Sequence, residues 1–170
     1  EKDVNEITLG GGNDTVNISG ASRSIIHAND KSKDSDDADT LNGGKGIDVY
    51  YVGNKDTISD KGGNGRVYFN SDKYYLVGGT ETSAGSKTDK RDNFTYNLNG
   101  NTLSVTDDNT GEKITIKDYD KYRNNGGDLE IKLTDKIDIS IDDVTVEEGD
   151  TKNQIAKVNV SLSRELKKNE

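Results

Sequence analysis

Nine residues constrain this chain more than any other feature. Gly43-Gly44-Lys45-Gly46-Ile47-Asp48-Val49-Tyr50-Tyr51 follows the pattern G-G-x-G-x-D-x-U-x, in which U is a large apolar residue. Each part of the pattern has a physical meaning. Glycines let a short turn take backbone angles closed to other residues and allow carbonyl oxygens to crowd together. The aspartate supplies a hard anionic oxygen of the kind that hard cations prefer. The x-U-x that follows makes a three-residue strand with one side chain pointing inward.

Other stretches repeat the pattern with decreasing fidelity. Leu9-Gly10-Gly11-Gly12-Asn13-Asp14-Thr15-Val16-Asn17 departs only at its first position. Ile7 lies one period before Val16, with Asn5 in the Asp position, and Ile25 lies one period after it, with Arg23 there. Asp39-Thr40-Leu41-Asn42 keeps the second half without the glycines, and Asp56-Thr57-Ile58-Ser59 does the same one residue short of register. Gly62-Gly63-Asn64-Gly65 restores the turn and leads to Phe69, with Val67 in the Asp position. The expected inward residues are therefore Ile7, Val16, Ile25, Leu41, Tyr50, Ile58 and either Val67 or Phe69. Ile25 and Leu41 are too far apart for one period, so a loop insertion is expected within residues 27–37. That stretch is polar and carries Asp30, Asp34, Asp36 and Asp37. It is either a solvated insertion or a source of carboxylates replacing the lost glycine carbonyls. It is not an EF-hand, because counting from Asp34 puts Asp39 where glycine is needed and Lys45 where glutamate is needed.

These repeats resemble the haemolysin-type calcium-binding nonapeptides of the RTX family of secreted bacterial proteins, over roughly residues 3–70. The resemblance implies a parallel β-roll in which each nonapeptide is half a turn, so that loops alternate between two edges. Loops near 10–14, 27–39 and 53–56 would share one edge, and those near 18–23, 43–48 and 60–65 the other. Calcium would sit between stacked loops in a shell of carboxylates and carbonyls. Three ligand groups follow: Gly10, Gly12 and Asp14 with Asp39; Asp39 with Asp56; and Gly44, Gly46 and Asp48 with Asp60 and the Gly63 turn. Arg23, in an Asp position on the Asp48 edge, is expected either to stand in for an ion by pairing with Asp48 or the Gly43–Gly46 turn, or to point to solvent.

Composition agrees with a fold that needs little core. Only 28% of the 170 residues are hydrophobic and 32% are charged, near the border at which chains fail to collapse. A roll needs one inward residue per short strand, and ions can hold its turns. The net charge of -9 argues against nucleic acid or anionic lipid as a partner and suits cations. The chain has no cysteine, which excludes disulfides, zinc thiolate sites and a thiol nucleophile. No stretch has the length of a membrane-spanning helix, so no membrane insertion by this segment is expected. No signal peptide is visible, and the chain reads as a segment of a longer protein.

After the repeats, residues 80–92 read as a polar loop. Phe94–Leu98, the Asn99-Gly100-Asn101 turn and Leu103–Val105 read as a hairpin, followed by a turn over Asp107–Gly111 and a strand through Ile114–Ile116. Gly127-Asp128-Leu129 opens a strand running to Leu133, and in RTX relatives a segment ending this way caps the roll. From Ile139 the sequence is similar to the first two strands of a Calx-β domain, with Glu147, Glu148 and Asp150 as acidic candidates. The expected fold is all-β: a short parallel β-roll with an antiparallel β cap, then the first strands of a β-sandwich-like segment. The divisions expected are 1–79, 80–136 and 137–170.

Catalytic signals are weak. The single His27 reads as a surface residue of the insertion. Gly20-Ala21-Ser22-Arg23-Ser24 lacks the last glycine of a nucleophile elbow, and no phosphate-cradling loop has Walker spacing. The eight tyrosines are expected to pack core and edges, with sugar stacking by Tyr50, Tyr51, Tyr74 or Tyr75 as the alternative. The expected function is a non-catalytic calcium-binding structural module of a large secreted or cell-surface protein, folding on calcium after export. The alternatives are an accessory domain of a secreted lipase, protease or toxin, and a stalk segment of a calcium-dependent adhesin, with any protein or glycan partner left open.

Overall fold

The computed structural model describes residues 4–20, 22–28, 37–71, 73–83, 88–143 and 158–163. Seven short strands open the chain: β1 (Val4–Thr8), β2 (Thr15–Asn17), β3 (Arg23–His27), β4 (Thr40–Gly43), β5 (Ile47–Val52), β6 (Thr57–Asp60) and β7 (Asn64–Phe69). Odd and even strands go to different sheets. One parallel sheet has the order β1-β3-β5-β7, and the other begins β2-β4-β6. The chain therefore crosses between sheets at every connection, which is a β-roll.

Its core is a set of rows running across the strands. Ile7, Ile26, Tyr50 and Val67 are register partners in the first sheet, and Val52 pairs with Phe69 beside them. In the second sheet the row is Val16, Leu41 and Ile58. Leu41, Ile58, Ile26, Tyr50 and Val67 are fully buried. Each such side chain contributes about 1.5–3 kcal/mol of transfer free energy.

Two expectations about register are corrected. Ile26, not Ile25, faces inward. Two adjacent isoleucines satisfy a period of two in either phase, and the pairing of Ile26 with Tyr50 selects between them. Asp48 pairs with Gly65 and Tyr50 with Val67, so Gly65 holds the Asp position and Val67 the inward one. His27 is also reassigned. It ends β3, where its ring stacks on Tyr51 at 4.6 Å and 7° and its Nε2 lies 3.3 Å from Glu6. Tyr51 stacks in turn on Tyr68 at 4.6 Å, forming a ladder on the outer face of the first sheet.

The second sheet continues without a break into the cap. β8 (Gly78–Glu81), β9 (Thr88–Arg91), β10 (Phe94–Asn99), β11 (Thr102–Asp107), β12 (Lys113–Lys117) and β13 (Lys132–Thr134) extend it to nine strands, in the order β13-β8-β9-β10-β11-β12-β6-β4-β2. β12 lies parallel to β6, with Ile116 beside Ile58. Leu103 and Leu98 extend the same apolar row into the antiparallel strands. The cap thus covers what would be an open edge of β6 with an apolar row exposed beside it. The hairpin turn falls at Gly100-Asn101 as expected, with Gly100 at φ +62.

Two polar stretches behave differently from their sequence. Within residues 80–92, expected as a loop, Thr80 and Glu81 end β8 and Thr88–Arg91 form β9, and the two strands pair antiparallel through Thr80–Lys90 and Glu81–Asp89. Pairing is a backbone property, and one-sided exposure lets polar residues fill a strand. Asp128–Glu130 is a 3-10 turn rather than the start of a strand, with Leu129 at φ 56 and Glu130 at φ 58. Finally β14 (Ile139–Ile141) and β15 (Val160–Leu162) pair antiparallel, where the two sandwich-like strands were expected. Glu147, Glu148, Asp150, Asp30, Asp34 and Asp36 lie outside the described residues.

Candidate metal centre along the roll edges

Alternation places the aspartates indoors. Asp14, Asp39, Asp48 and Asp56 each precede an inward residue by two, so each carboxylate lies on the core side of its strand, at the end where the chain turns. Asp39, Asp48, Asp56 and Asp60 are between 0% and 3% exposed. The loop connections fall on two edges as the alternation requires: 9–14, 28–39 and 53–56 on one, 18–22, 44–46 and 61–63 on the other.

On the first edge the carboxylates form a ladder with backbone amides. The Asp14 N–H donates to Asp39 Oδ1 at 2.8 Å, and the Asp39 N–H to Asp56 Oδ1 at 2.9 Å. Asp56 Oδ2 accepts the Gly53 N–H at 2.8 Å. Asp37, from the insertion, reaches the Gly12 turn and accepts its N–H at 2.6 Å. Gly12 has φ +105, and both Gly10 and Gly12 are exposed. Burial pushes the Asp56 carboxyl up to about 7, with the Gly53 and Asp39 amides lowering it and the charges of Asp39 and Asp37 raising it. Asp39 moves upward too, again chiefly through burial.

On the second edge the carboxylates converge on one another. Asp60 Oδ1 accepts the N–H groups of Gly62 and Gly63 at 2.9 and 2.7 Å, and Asp60 Oδ2 accepts the Tyr50 hydroxyl at 2.9 Å. Asp48 Oδ2 accepts the Gly44 N–H at 3.0 Å. A methyl group at Gly43 would lie 3.0 Å from both Asp48 Oδ2 and Asp60 Oδ2 and would collide with the Tyr50 hydroxyl. Only glycine leaves room for that convergence. Gly44 is needed for another reason, since its Cβ would strike the Gly20 carbonyl of the stacked turn. Gly46 is buried between β4 and β5. Burial pushes Asp60 up to about 6, opposed by its hydrogen bonds from Tyr50 and Gly63 and reinforced by Asp48.

The orphaned atoms lie on this second edge. Asp48 Oδ1 and Ser24 Oγ are buried without a hydrogen bond of normal geometry. Ser24 and Asp48 are register neighbours on adjacent strands, and the Ser24 hydroxyl and N–H lie close enough to the Asp48 carboxylate to oppose the upward shift that burial gives it. Of the two readings for Arg23, pairing with Asp48 or pointing to solvent, the structure agrees with the second. Arg23 stands one position away, exposed, paired with Val4, because β3 takes the phase set by Ile26. Asp128, a residue not singled out as a ligand, accepts no hydrogen bond of normal geometry at its buried Oδ1 but is ion-paired there with Arg123. It packs beside Gly63, whose Cβ would strike it, with the Arg123 Nε 3.3 Å away.

The second edge offers a hard cation two convergent carboxylates and the buried Ser24 hydroxyl, and of the four carboxylate oxygens Asp48 Oδ1 accepts no hydrogen bond of normal geometry. On the first edge Asp39 Oδ1 and both Asp56 oxygens accept backbone amides. Among the described residues no three acidic or imidazole side chains form a cage by themselves, so any ion shell there needs hydroxyl or carbonyl oxygens as well. No known family matches this chain, and neither does any curated protein or solved structure.

Proposed function

We propose that this chain is a non-catalytic, calcium-binding structural module of RTX type, belonging to a large secreted or cell-surface bacterial protein. One observation carries the reading. Four aspartates are buried on the two loop edges of the roll, burial raises the pKa of each, and for Asp39, Asp56 and Asp60 neighbouring carboxylates raise it further. A buried charge needs a counter-charge, a proton or a metal. A divalent cation neutralises two carboxylates at once and ties successive coils together. Asp48 and Asp60, with Ser24 beside them, would hold it on the second edge; Asp14, Asp39 and Asp56 are the candidates on the first. Its contribution there is charge neutralisation and cross-linking, which suits a chain that buries few apolar residues.

Calorimetric titration of chelated protein with calcium, followed in parallel by far-UV circular dichroism, tests this. The expected result is saturable binding of at least one ion with a gain of β signal. A flat titration and an unchanged spectrum would overturn it.

A further inference from the structure

A cavity of about 440 Å³ opens between the segment that follows β7 and the turn joining β9 to β10. Its size lies in the range of small-molecule sites, roughly 300–1,000 Å³. Tyr74, Tyr75, Phe94 and Tyr96 supply aromatic surface, and Asp92 and Asn93 supply polar groups at the turn. The roll edges lie elsewhere, and the proposed ions make no use of this cavity.

The lining is held in place. Tyr96 is 1% exposed and forms part of the floor, its hydroxyl held by the backbone amides of Gly78 and Val77. Phe94 packs on the core residue Phe69 with ring centroids 5.9 Å apart. Tyr75 is fixed edge-on against Tyr68 at 5.9 Å, with the Arg66 guanidinium 4.5 Å from its centroid. The Tyr74 N–H donates to Ser71 Oγ at 3.0 Å, and the Leu76 N–H to the Val67 carbonyl at 2.8 Å, pinning the segment at both ends. The Asn93 carbonyl accepts the Asp108 N–H at 2.7 Å. Tyr74 itself is 69% exposed, so its ring is open to a ligand in the cavity.

We propose that this cavity binds a neutral saccharide. A sugar ring has an apolar C–H face that lies against aromatic rings, whose faces carry partial negative charge. Its rim of hydroxyls matches the acceptors of Asp92 and both the donor and acceptor of the Asn93 amide. A purely apolar ligand would desolvate those polar groups without replacing their hydrogen bonds. Lys73 also lines the cavity, its ammonium 5.0 Å from the Tyr74 centroid, and Asp92 pairs with Arg91 at 3.8 Å, so the lining carries charges of both signs and a neutral ligand leaves their balance undisturbed.

Saturation-transfer difference NMR on the chain, run both in calcium and in chelator, tests the proposal, using the methyl glycosides of glucose, galactose, mannose and N-acetylglucosamine, with p-cresol as an apolar probe. At least one glycoside should receive saturation. Tyr74→Ala should weaken that glycoside at least about fivefold through loss of ring stacking, and Tyr122→Ala, at an exposed tyrosine outside the cavity, should leave it unchanged. Because Tyr74 is exposed, both variants should melt with the parent. Transfer to cresol alone, to none of the probes, or to a glycoside equally in Tyr74→Ala would overturn it. A failed calcium titration leaves this readout standing, so the two proposals fall separately.

Discussion

At the scale of single residues, burial of carboxylates on both edges controls behaviour. Asp48 places an unpartnered oxygen in the core. Asp48→Asn removes the charge while keeping the shape, and it should cost at least one bound calcium per chain by calorimetry. Arg23→Asp should change neither ion count nor melting temperature, because Arg23 is exposed and Ser24, not Arg23, stands beside Asp48. The pH dependence has a definite sign. Asp56 and Asp60 sit at about 7 and about 6 when folded, against 3.8 in the unfolded chain. Between pH 4 and 7 the calcium-free folded state therefore binds more protons than the unfolded state, and its stability falls as pH rises through that window. Chelated protein should melt higher at pH 5 than at pH 7.5. Calcium binding near pH 6.5 should release protons, read as a binding enthalpy that varies with the ionisation heat of the buffer.

At the scale of elements, the roll depends on how closely its turns stack. The Lys45 N–H donates to the Gly20 carbonyl at 2.9 Å, and the Gly62 N–H to the Gly44 carbonyl at 3.0 Å. These bonds draw three successive turns together and leave no space for a side chain at Gly44. Gly44→Ala forces the turns apart and should cost about 1–3 kcal/mol in chemical denaturation. Leu41→Ala acts through the core instead. Leu41 is fully buried between Val16 and Ile58, so its loss should cost about 2–5 kcal/mol. If Leu41→Ala is neutral, the apolar row is not what holds the second sheet.

At the scale of the whole molecule, the nine-stranded sheet makes roll and cap one structural unit. β12 pairs with β6 as a further coil would, and Leu129 N–H donates to the Gly63 carbonyl at 2.8 Å, so the cap engages both a sheet and a loop edge of the roll. Calcium on the edges should therefore be felt in the cap. In hydrogen exchange, chelation should raise exchange of the β10–β11 amides along with those of β4 and β6. Exchange confined to the roll would show that the two parts unfold separately.

The alternation between two sheets and the sharing of edges were expected from the family that the nonapeptide pattern resembles. The pattern by itself determined that Val16, Leu41, Tyr50 and Ile58 point inward, a local consequence of a strand period of two and a glycine turn. It could not choose between Ile25 and Ile26, or see that Gly65 rather than Val67 follows Asp48 along the stack, since only the neighbouring coil sets the phase of a strand. Nor could it show that Gly78–Glu81 and Thr88–Arg91 form strands, because their pairing lies in the backbone and in partners on both sides. Which partners a carboxylate meets, the Gly53 and Asp39 amides for Asp56 or the Tyr50 hydroxyl and the Gly62 and Gly63 amides for Asp60, was likewise decided by the tertiary structure. Turn stacking brings residues from different coils within hydrogen-bond reach, and no single coil encodes what it will meet there.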